Sequence, residues 1–325
     1  MRGNKILPKN IHVNFKSVFL LSVVCLFGCG ERTTPPRVGK PLGPYQLTLE
    51  FAPDRPRPQR QTQLTFRLAH AATDAPVQDL QIIHERALHT FIIARDFSSF
   101  AHLHHEDFAP LTARDLTAGR FTFAYTFPHA GQYRVVNEFT HRDRTWLKQF
   151  DFDVGAAAPS PVRIDLAREK TVAGYHASLT LSPSIAVAGY ETELVLNLAH
   201  DHQPVTDLQL LLGAEVHVAL WRVDGEHFGH THSYTPQMAA MMRAMAGHGG
   251  EHSAAMMLKM MSGPTKLVYP GPRIPIRYTF PTPGTYQLFL QCAPGGVITV
   301  FPFMLEVVAH RAGLDTTINT IVPDA

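Results

Sequence analysis

The chain alternates hydrophobic and polar residues in short runs, and proline, glycine and aspartate separate these runs. Alternation with a period of two is typical of β-strands that bury one face, whereas an amphipathic helix repeats every 3.6 residues. Clear examples are YQLTLEF, QLTFRL, LHTFIIA, FTFAYTF and QYRVVNEF, all within residues 45–139. The pattern predicts an all-β fold of many short strands.

The same pattern occurs twice along the chain. QLTFRLAHAATDAPVQDLQ (63–81) returns as ELVLNLAHDHQPVTDLQ (193–209), and FAYTFPHAGQYRVVNEF (123–139) returns as IRYTFPTPGTYQLFLQC (276–292). Each copy has a Gly-x-Tyr just before a strand, which resembles the tyrosine corner of immunoglobulin-like domains. We therefore predict two tandem immunoglobulin-like β-sandwiches, with a β-barrel as the alternative. The predicted segments are a signal peptide (1–28), a linker (29–42), the first sandwich (43–155), a second linker (156–171), the second sandwich (172–309) and a tail (310–325).

The N-terminal segment has the organisation of an export signal. Four basic residues and no acidic residue precede the apolar run VFLLSVVCLF (18–27), which is short for a membrane-spanning helix. The run ends in LFGC, a tetrad that resembles the bacterial lipobox, in which Cys29 would become the lipidated N-terminus. We expect an extracytoplasmic protein anchored to the membrane by lipid. An ordinary signal peptide or an anchor helix is the alternative.

Charge and cysteine content narrow the function classes. Loss of residues 1–28 would remove four of the 29 Lys and Arg residues and none of the 27 Asp and Glu residues, so the net positive charge belongs to the leader. Nucleic-acid binding needs a basic footprint, and none is expected here. After processing only Cys292 would be a free cysteine, so we expect no intramolecular disulfide and predict Cys292 to be a buried small hydrophobe.

Histidine is abundant, with 19 residues, and two groups share the spacing H-x12-H-x-H. The groups are His89, His102 and His104 in the first copy, and His217, His230 and His232 in the second. In the second copy Asp224-Gly225 predicts a two-residue hairpin turn with positive φ at both positions. That turn would pair His217 with His232 and Ala219 with His230, which places three rings on one face.

Asp96-Phe97 is the corresponding turn of the first copy, and it would pair His89 with His104. Three imidazoles gathered on one face can bind a metal ion, since imidazole is the commonest metal ligand in proteins. His70 and His200 are candidates for a fourth ligand, with a structural role as the alternative.

The second copy contains an insertion at about residues 234–265 that holds eight of the ten methionines. They recur at helical spacing on both sides of GHGGEH, which predicts a short helical hairpin. Thioether sulfur prefers Cu(I) and imidazole suits copper and zinc alike, so the insertion favours copper over zinc. A hydrophobic lid with methionine as filler is the alternative. The candidate ligands of the insertion are Met238, Met241, Met242, Met245, His248, His252, Met256, Met257, Met260 and Met261.

The segment GYETELVLNLAHDHQPVTDLQLLLGAEVHVAL (189–220), with the later HTH and YTFPTPGTYQLFLQ, resembles secreted YtkA-like modules of bacteria, which are distantly similar to CopC-type periplasmic copper proteins. The resemblance covers both copies but not the insertion. It implies an immunoglobulin-like sandwich and an extracytoplasmic role linked to metal, with the six histidines above at the matching positions. CopC-type proteins often bind copper through a free amino terminus, which a lipidated Cys29 would not offer.

The leading hypothesis is a copper-binding lipoprotein that sequesters the ion or passes it to a copper transporter or cuproenzyme outside the cytoplasm. A metal-free scaffold or adhesion lipoprotein is one alternative. A zinc hydrolase with three histidine ligands is less favoured, because Asp224 and Glu226 lie too far along the hairpin to serve as general base or orienting carboxylate. We therefore expect no enzymatic activity.

Overall fold

The structure is a computed structural model that describes residues 37–38, 43–234 and 266–318. Within these residues the chain is all-β and sandwich-like, as the alternation predicts, with a single short α-helix. The predicted signal peptide, the lipidation site Cys29 and most of the Met-rich insertion lie outside the described residues. In the part of the chain that is described, no helix is both long and apolar enough to cross a membrane.

The first half of the chain, residues 37–154, forms two antiparallel sheets. Its strands are β1 (Arg37–Val38), β2 (Tyr45–Ala52), β3 (Gln61–His70), β4 (Leu88–Ala94), β5 (Phe100–Leu103), β6 (Arg120–Thr126), β7 (Gly131–His141) and β8 (Arg144–Val154). One sheet has the order β1-β2-β3-β6 and the other the order β5-β4-β7-β8. A 3-10 turn (His105–Asp107) and the helix α1 (Ala113–Ala118) connect β5 to β6.

The second half, residues 169–308, also forms two sheets, with one parallel strand pair among otherwise antiparallel ones. Its strands are β9 (Glu169–Val172), β10 (Tyr175–Ser182), β11 (Ala186–Val187), β12 (Glu191–His200), β13 (Gln203–Pro204), β14 (Leu208–Gln209), β15 (Val216–Arg222), β16 (Phe228–His232), β17 (Arg273–Thr279), β18 (Gly284–Pro294) and β19 (Thr299–Val308). One sheet has the order β13-β12-β10-β9, with β17 also paired to β12. The other has the order β11-β19-β18-β15-β16, with β14 also paired to β18.

Each half encloses its own hydrophobic core between its two sheets. At one edge of each core a tyrosine hydroxyl donates to a backbone carbonyl four residues upstream: Tyr133 to His129 at 3.0 Å, and Tyr286 to Thr282 at 2.9 Å. These are the two corners that the Gly-x-Tyr motifs predict. Cys292 is fully buried in the second core, as expected, and burial raises the pKa of its thiol to about 12.

Strands β4 and β15 are buried on both faces. In β4, Leu88 and Ile92 point into the core of the first half, whereas Phe91 and Ile93 point the opposite way into a third apolar cluster. That cluster, here called the interface cluster, also contains Ala219, Trp221 and Phe289 of the second half. The inner sheets of the two halves, built around β4 and β15, therefore pack against each other. A strand covered on both sides needs a nearly continuous apolar run, as in LHTFIIA.

Two short strands fall in segments predicted as linkers. Strand β1 lies within 29–42 and pairs with β2, and β9 begins at Glu169, within 156–171, and pairs with β10. Such edge strands are held by backbone hydrogen bonds, so their sequences need no hydrophobic alternation. The pattern of residues therefore does not reveal them.

Candidate metal centre

Both histidine groups lie on antiparallel hairpins with the register that the sequence predicts. In the second half, His217 pairs with His232 and Ala219 pairs with His230. In the first half, Phe91 pairs with His102, and the same register places His89 opposite His104. The prediction that three rings of each hairpin share one face is confirmed.

The turns of these hairpins differ from the prediction. Only Gly225 has a positive φ, +82°, and residues 223–226 form a longer loop in which the Gly225 N–H donates to the Arg222 carbonyl oxygen at 2.7 Å. Phe97 takes the equivalent place in the first half with a φ of +62°. The prediction of positive φ at both Asp224 and Gly225 is therefore wrong. The register survives because the longer loop is centred on the same residue pair.

The first triad consists of His89, His102 and His104, all buried. One nitrogen of each ring faces the other two: His89 Nδ1, His102 Nε2 and His104 Nε2 are separated by 3.0–3.3 Å. We call these the inner nitrogens. They form a small triangle with three ring nitrogens at its corners.

The outer nitrogen of each ring in the first triad meets an oxygen that can only accept a hydrogen bond. The pairs are His89 Nε2 with the Ile83 carbonyl at 3.0 Å, His102 Nδ1 with Gln291 Oε1 at 3.1 Å, and His104 Nδ1 with Asp107 Oδ2 at 2.9 Å. A neutral imidazole carries a single N–H, which these oxygens draw to the outer nitrogen. The inner nitrogens are then bare, and three lone pairs point at one another. A bound cation would turn this repulsive arrangement into an attractive one.

The second triad uses the corresponding atoms. His217 Nε2 donates to the Leu211 carbonyl at 2.7 Å, and His230 Nδ1 donates to Glu138 Oε1 at 3.0 Å. The inner nitrogens, His217 Nδ1, His230 Nε2 and His232 Nε2, are buried and have no hydrogen-bond partner. In each triad, one nitrogen from every ring lies within 4.8 Å of the other two, close enough for a shared metal ion. Buried polar atoms without partners are rare in folded proteins and call for an explanation.

The surroundings keep five of the six rings uncharged. Burial, reinforced by neighbouring histidines, holds the pKa of His89, His102, His217 and His232 well below the usual value. Burial also lowers the pKa of His104, although its bond to Asp107 opposes the shift. Near neutral pH these five rings are therefore in the deprotonated form that binds metal.

The two triads face each other across the contact between the halves. The ring centroids of His89 and His230 are 5.6 Å apart, and those of His102 and His217 are also 5.6 Å apart. These two pairs exchange under the sequence repeat, so the contact has approximate two-fold symmetry. The outer partners cross the same contact, since Gln291 of the second half holds His102 and Glu138 of the first half holds His230.

The structure places the other candidate ligands elsewhere. His70 is at the end of β3 with its ring centroid 5.6 Å from that of Tyr45, and His200 lies against Tyr175 at 4.6 Å. Neither belongs to a triad. The methionines of the insertion, with His248 and His252, lie outside the described residues.

Four residues of the centre are missing from the sequence prediction. Asp107 and Glu138 are the orienting carboxylates, Gln291 is their amide counterpart, and His84 lies beside the second triad. Asp107 lies only three residues after His104, and this short spacing was a signal in the sequence. Glu138 lies opposite His89 in the pairing of β4 with β7, so a prediction of that pairing could have identified it. His84 has no histidine counterpart in the repeat, so nothing in the sequence singles it out.

Known proteins offer limited comparison. Among curated proteins, none matches the chain. The adhesin FdeC of Escherichia coli shares 10% identity over 84% of this chain and 66% of its own, with a TM-score of 0.22. Invasin, a bacterial integrin-binding protein, shares 12% over 82% of this chain and 39% of its own, with a TM-score of 0.21. Trypsin-activated alpha-2-macroglobulin of Escherichia coli shares 10% over 84% of this chain and 17% of its own, with a TM-score of 0.23. The chain thus spans less than two thirds of the length of each.

A family model, in contrast, matches most of the chain and does so twice, in step with the sequence repeat. The matched residues are 41–156 and 170–309, which contain the first and the second histidine triad respectively. The chain therefore belongs to the family described as Domain of unknown function (DUF8832).

Proposed function

We propose that this protein is a membrane-anchored extracytoplasmic lipoprotein that binds copper at its two histidine triads and sequesters it or passes it on. The observation that carries the proposal is the set of bare inner nitrogens. In each triad they converge and are buried. Hydrogen bonds of the outer nitrogens keep protons away from them in all three rings of the first triad and in His217 and His230 of the second.

The spacing of the inner nitrogens suits a metal ion. For an ion bonded to each nitrogen at about 2.05 Å, the middle of the usual range, the 3.0–3.3 Å separations of the first triad correspond to bond angles of about 94–107°. Such angles lie between octahedral and tetrahedral geometry and leave at least one coordination position for another ligand. The oxygen partners of the outer nitrogens would fix ring orientation and raise the basicity of the ligands.

Copper is favoured over zinc by the sequence next to the second triad. The described chain stops at Tyr234, two residues after His232, where the Met-rich insertion begins. A helical hairpin of thioethers attached there would offer soft ligands for Cu(I) beside imidazoles that accept either copper oxidation state. In this proposal the insertion captures the ion or hands it to a copper transporter or cuproenzyme.

We also propose the fold of each half and the attachment of the protein to the membrane. Each half would be an immunoglobulin-like sandwich, in line with the tyrosine corners, and the two sandwiches would follow one another behind a lipidated Cys29. The resemblance to YtkA-like and CopC-type modules belongs to the same proposal.

Metal analysis of untagged protein tests the function directly. The full chain, purified without a histidine tag, should bind about one Cu²⁺ per triad. A variant with His217→Ala and His230→Ala should lose one ion, and a variant with His89→Ala and His102→Ala should lose the other. His176→Ala removes an exposed histidine of β10 and should change nothing. Absence of stoichiometric copper or zinc would reject the proposal in favour of a metal-free scaffold, and turnover of simple esters by zinc-loaded protein would favour a hydrolase.

A further inference from the structure

His84 belongs to the first half but lies in the site of the second. It sits in a tight turn just before β4, with a φ of +46°, and only 8% of the residue is exposed. Its ring centroid is 3.8 Å from that of His232 and 5.4 Å from that of His217. Two rings of the second triad are thus its immediate neighbours.

The two ring nitrogens of His84 differ in the same way as those of the triad histidines. One ring nitrogen bonds to the backbone of Leu212, and the other, Nε2, is buried without a partner. His84 therefore places a fourth bare nitrogen beside the second triad, outside the group of inner nitrogens that lie within 4.8 Å of one another. An unsatisfied buried nitrogen costs free energy unless something binds it.

Within the described residues, the first triad has no counterpart of His84. The repeat that relates His89 to His217 relates His84 to Leu212, and both residues sit in the same kind of turn, with φ values of +46° and +51°. Under the approximate two-fold symmetry of the contact, Leu212 is the counterpart of His84. Leucine offers no nitrogen donor, whereas histidine does.

We propose that His84 is a fourth ligand of the second triad, contributed across the contact between the halves, so that the second site has four imidazoles and the first has three. This inference rests on the proposed function. Ring centroids within the triads are 4.4–5.8 Å apart, whereas those of His84 and His232 are 3.8 Å apart. The His84 ring therefore moves outward by about 0.6–2 Å when both rings share an ion. An ion at the second site would then be bonded to both halves, while the first site keeps an open position.

Two separate variants, each carrying at position 84 or 212 the residue found at the other position, provide the test. His84→Leu gives the first half the residue that the second half already carries in this turn conformation, and Leu212→His offers a fourth ligand to the first triad. The full untagged chain is titrated with Cu²⁺ against a competing chelator, and electron paramagnetic resonance reports the nitrogen donors of each bound ion. Melting of the metal-free variants checks that they fold, and His176→Ala serves as the control.

The wild-type chain should bind two Cu²⁺ ions with unequal affinity. His84→Leu should weaken the tighter site by about 100-fold or more, because loss of an outer partner alone costs about 10–100-fold. Leu212→His should strengthen the weaker site and increase its nitrogen count. Two ions with affinities and spectra unchanged in both variants would overturn the role of His84 and leave the proposed function intact. A wild-type chain that binds neither Cu²⁺ nor Zn²⁺ would overturn both.

Discussion

At the scale of single residues, the proposed metal centre depends on where the imidazole protons lie. Carbonyl, carboxylate and amide oxygens hold them on the outer nitrogens. These bonds orient the rings and leave the inner nitrogens bare, which prepares the triads for a cation before one arrives. Asp107 and Glu138 each accept a hydrogen bond from an outer ring nitrogen. A carboxylate in that position orients the ring and does not act as a general base.

Replacement of Glu138 tests whether the hydrogen bonds of the outer nitrogens favour copper binding. Glu138→Ala removes the acceptor of His230 Nδ1, and we expect it to weaken copper binding at the second triad by about 10–100-fold. Glu138→Gln keeps an acceptor and should cost much less, because Gln291 already performs the same task for His102. Competition titration of both variants provides the measurement. An equal loss in the two would contradict the assigned role of the acceptor.

The buried histidines also make the metal-free protein sensitive to pH. Their folded-state pKa lies below the value of about 6.5 for an unfolded chain, so below that pH the unfolded state binds more protons. Stability should therefore be complete above pH 6.5 and fall on acidification, by about 1.4 kcal/mol per pH unit for each histidine that stays neutral. Urea denaturation at pH 7.5, 6.5 and 5.5 measures the slope. A constant midpoint over this range would show that the rings titrate freely.

At the scale of elements, the hairpins are the units that assemble the triads. Their period of two places His217, His230 and His232 on one face whatever the details of the turn. The turns have a second task, since the Gly225 carbonyl oxygen accepts a 2.7 Å hydrogen bond from Arg134 Nη1 of the other half. Arg134 is at the same time held by two 2.7 Å bonds to Asp151.

Two glycines with the same φ separate the cost of a side chain on a left-handed backbone from the loss of the Arg134 hydrogen bond. Gly225 and Gly189 both have a φ of +82°, so alanine at either position should cost about 1–2 kcal/mol for the left-handed backbone. A Cβ at Gly225 would also lie 2.5 Å from Arg134 Nη1, whereas a Cβ at Gly189 would meet nothing within 4 Å. Gly225→Ala should therefore lose a further 1.5–3 kcal/mol or so from charged hydrogen bonds. Denaturant titration compares the two, and equal losses would show that Arg134 moves aside freely.

At the scale of the whole molecule, the contact between the halves completes both triads. Each triad takes one outer partner from the opposite half, and the apolar interface cluster holds the halves in place. Trp221 is the largest member of this cluster and is almost fully buried. Copper affinity should consequently depend on residues that touch no metal.

Trp221→Ala measures that dependence. Loss of a large buried aromatic should destabilise the protein by about 3–5 kcal/mol, and loosening of the contact should weaken copper binding at both triads. Phe301→Ala, in the core of the second half, is the matched control: we expect a comparable loss of stability with copper affinity retained. Denaturation and copper titration under conditions where both variants remain folded make the comparison. Retained affinity in Trp221→Ala would mean that each half binds metal alone.

Much of this protein could be predicted from local sequence alone. Alternation predicted the strands, and the spacing H-x12-H-x-H predicted hairpins with three rings on one face. These inferences succeed because strand period and antiparallel register are short-range properties, fixed by residues within about twenty positions of one another. The detailed turn was missed because loop length can change while its centre stays in place.

The tertiary structure alone decided how the two triads relate. The packing of the inner sheets makes the two triads face each other. It also places Glu138 and Gln291 as hydrogen-bond partners in the opposite half, and it places His84 beside the second triad alone. A strand buried on both faces has an apolar sequence whichever surface covers it, so no periodicity could identify the second half as the partner of β4. The sequence determined what each hairpin presents, and the contact between the halves determined which residues meet.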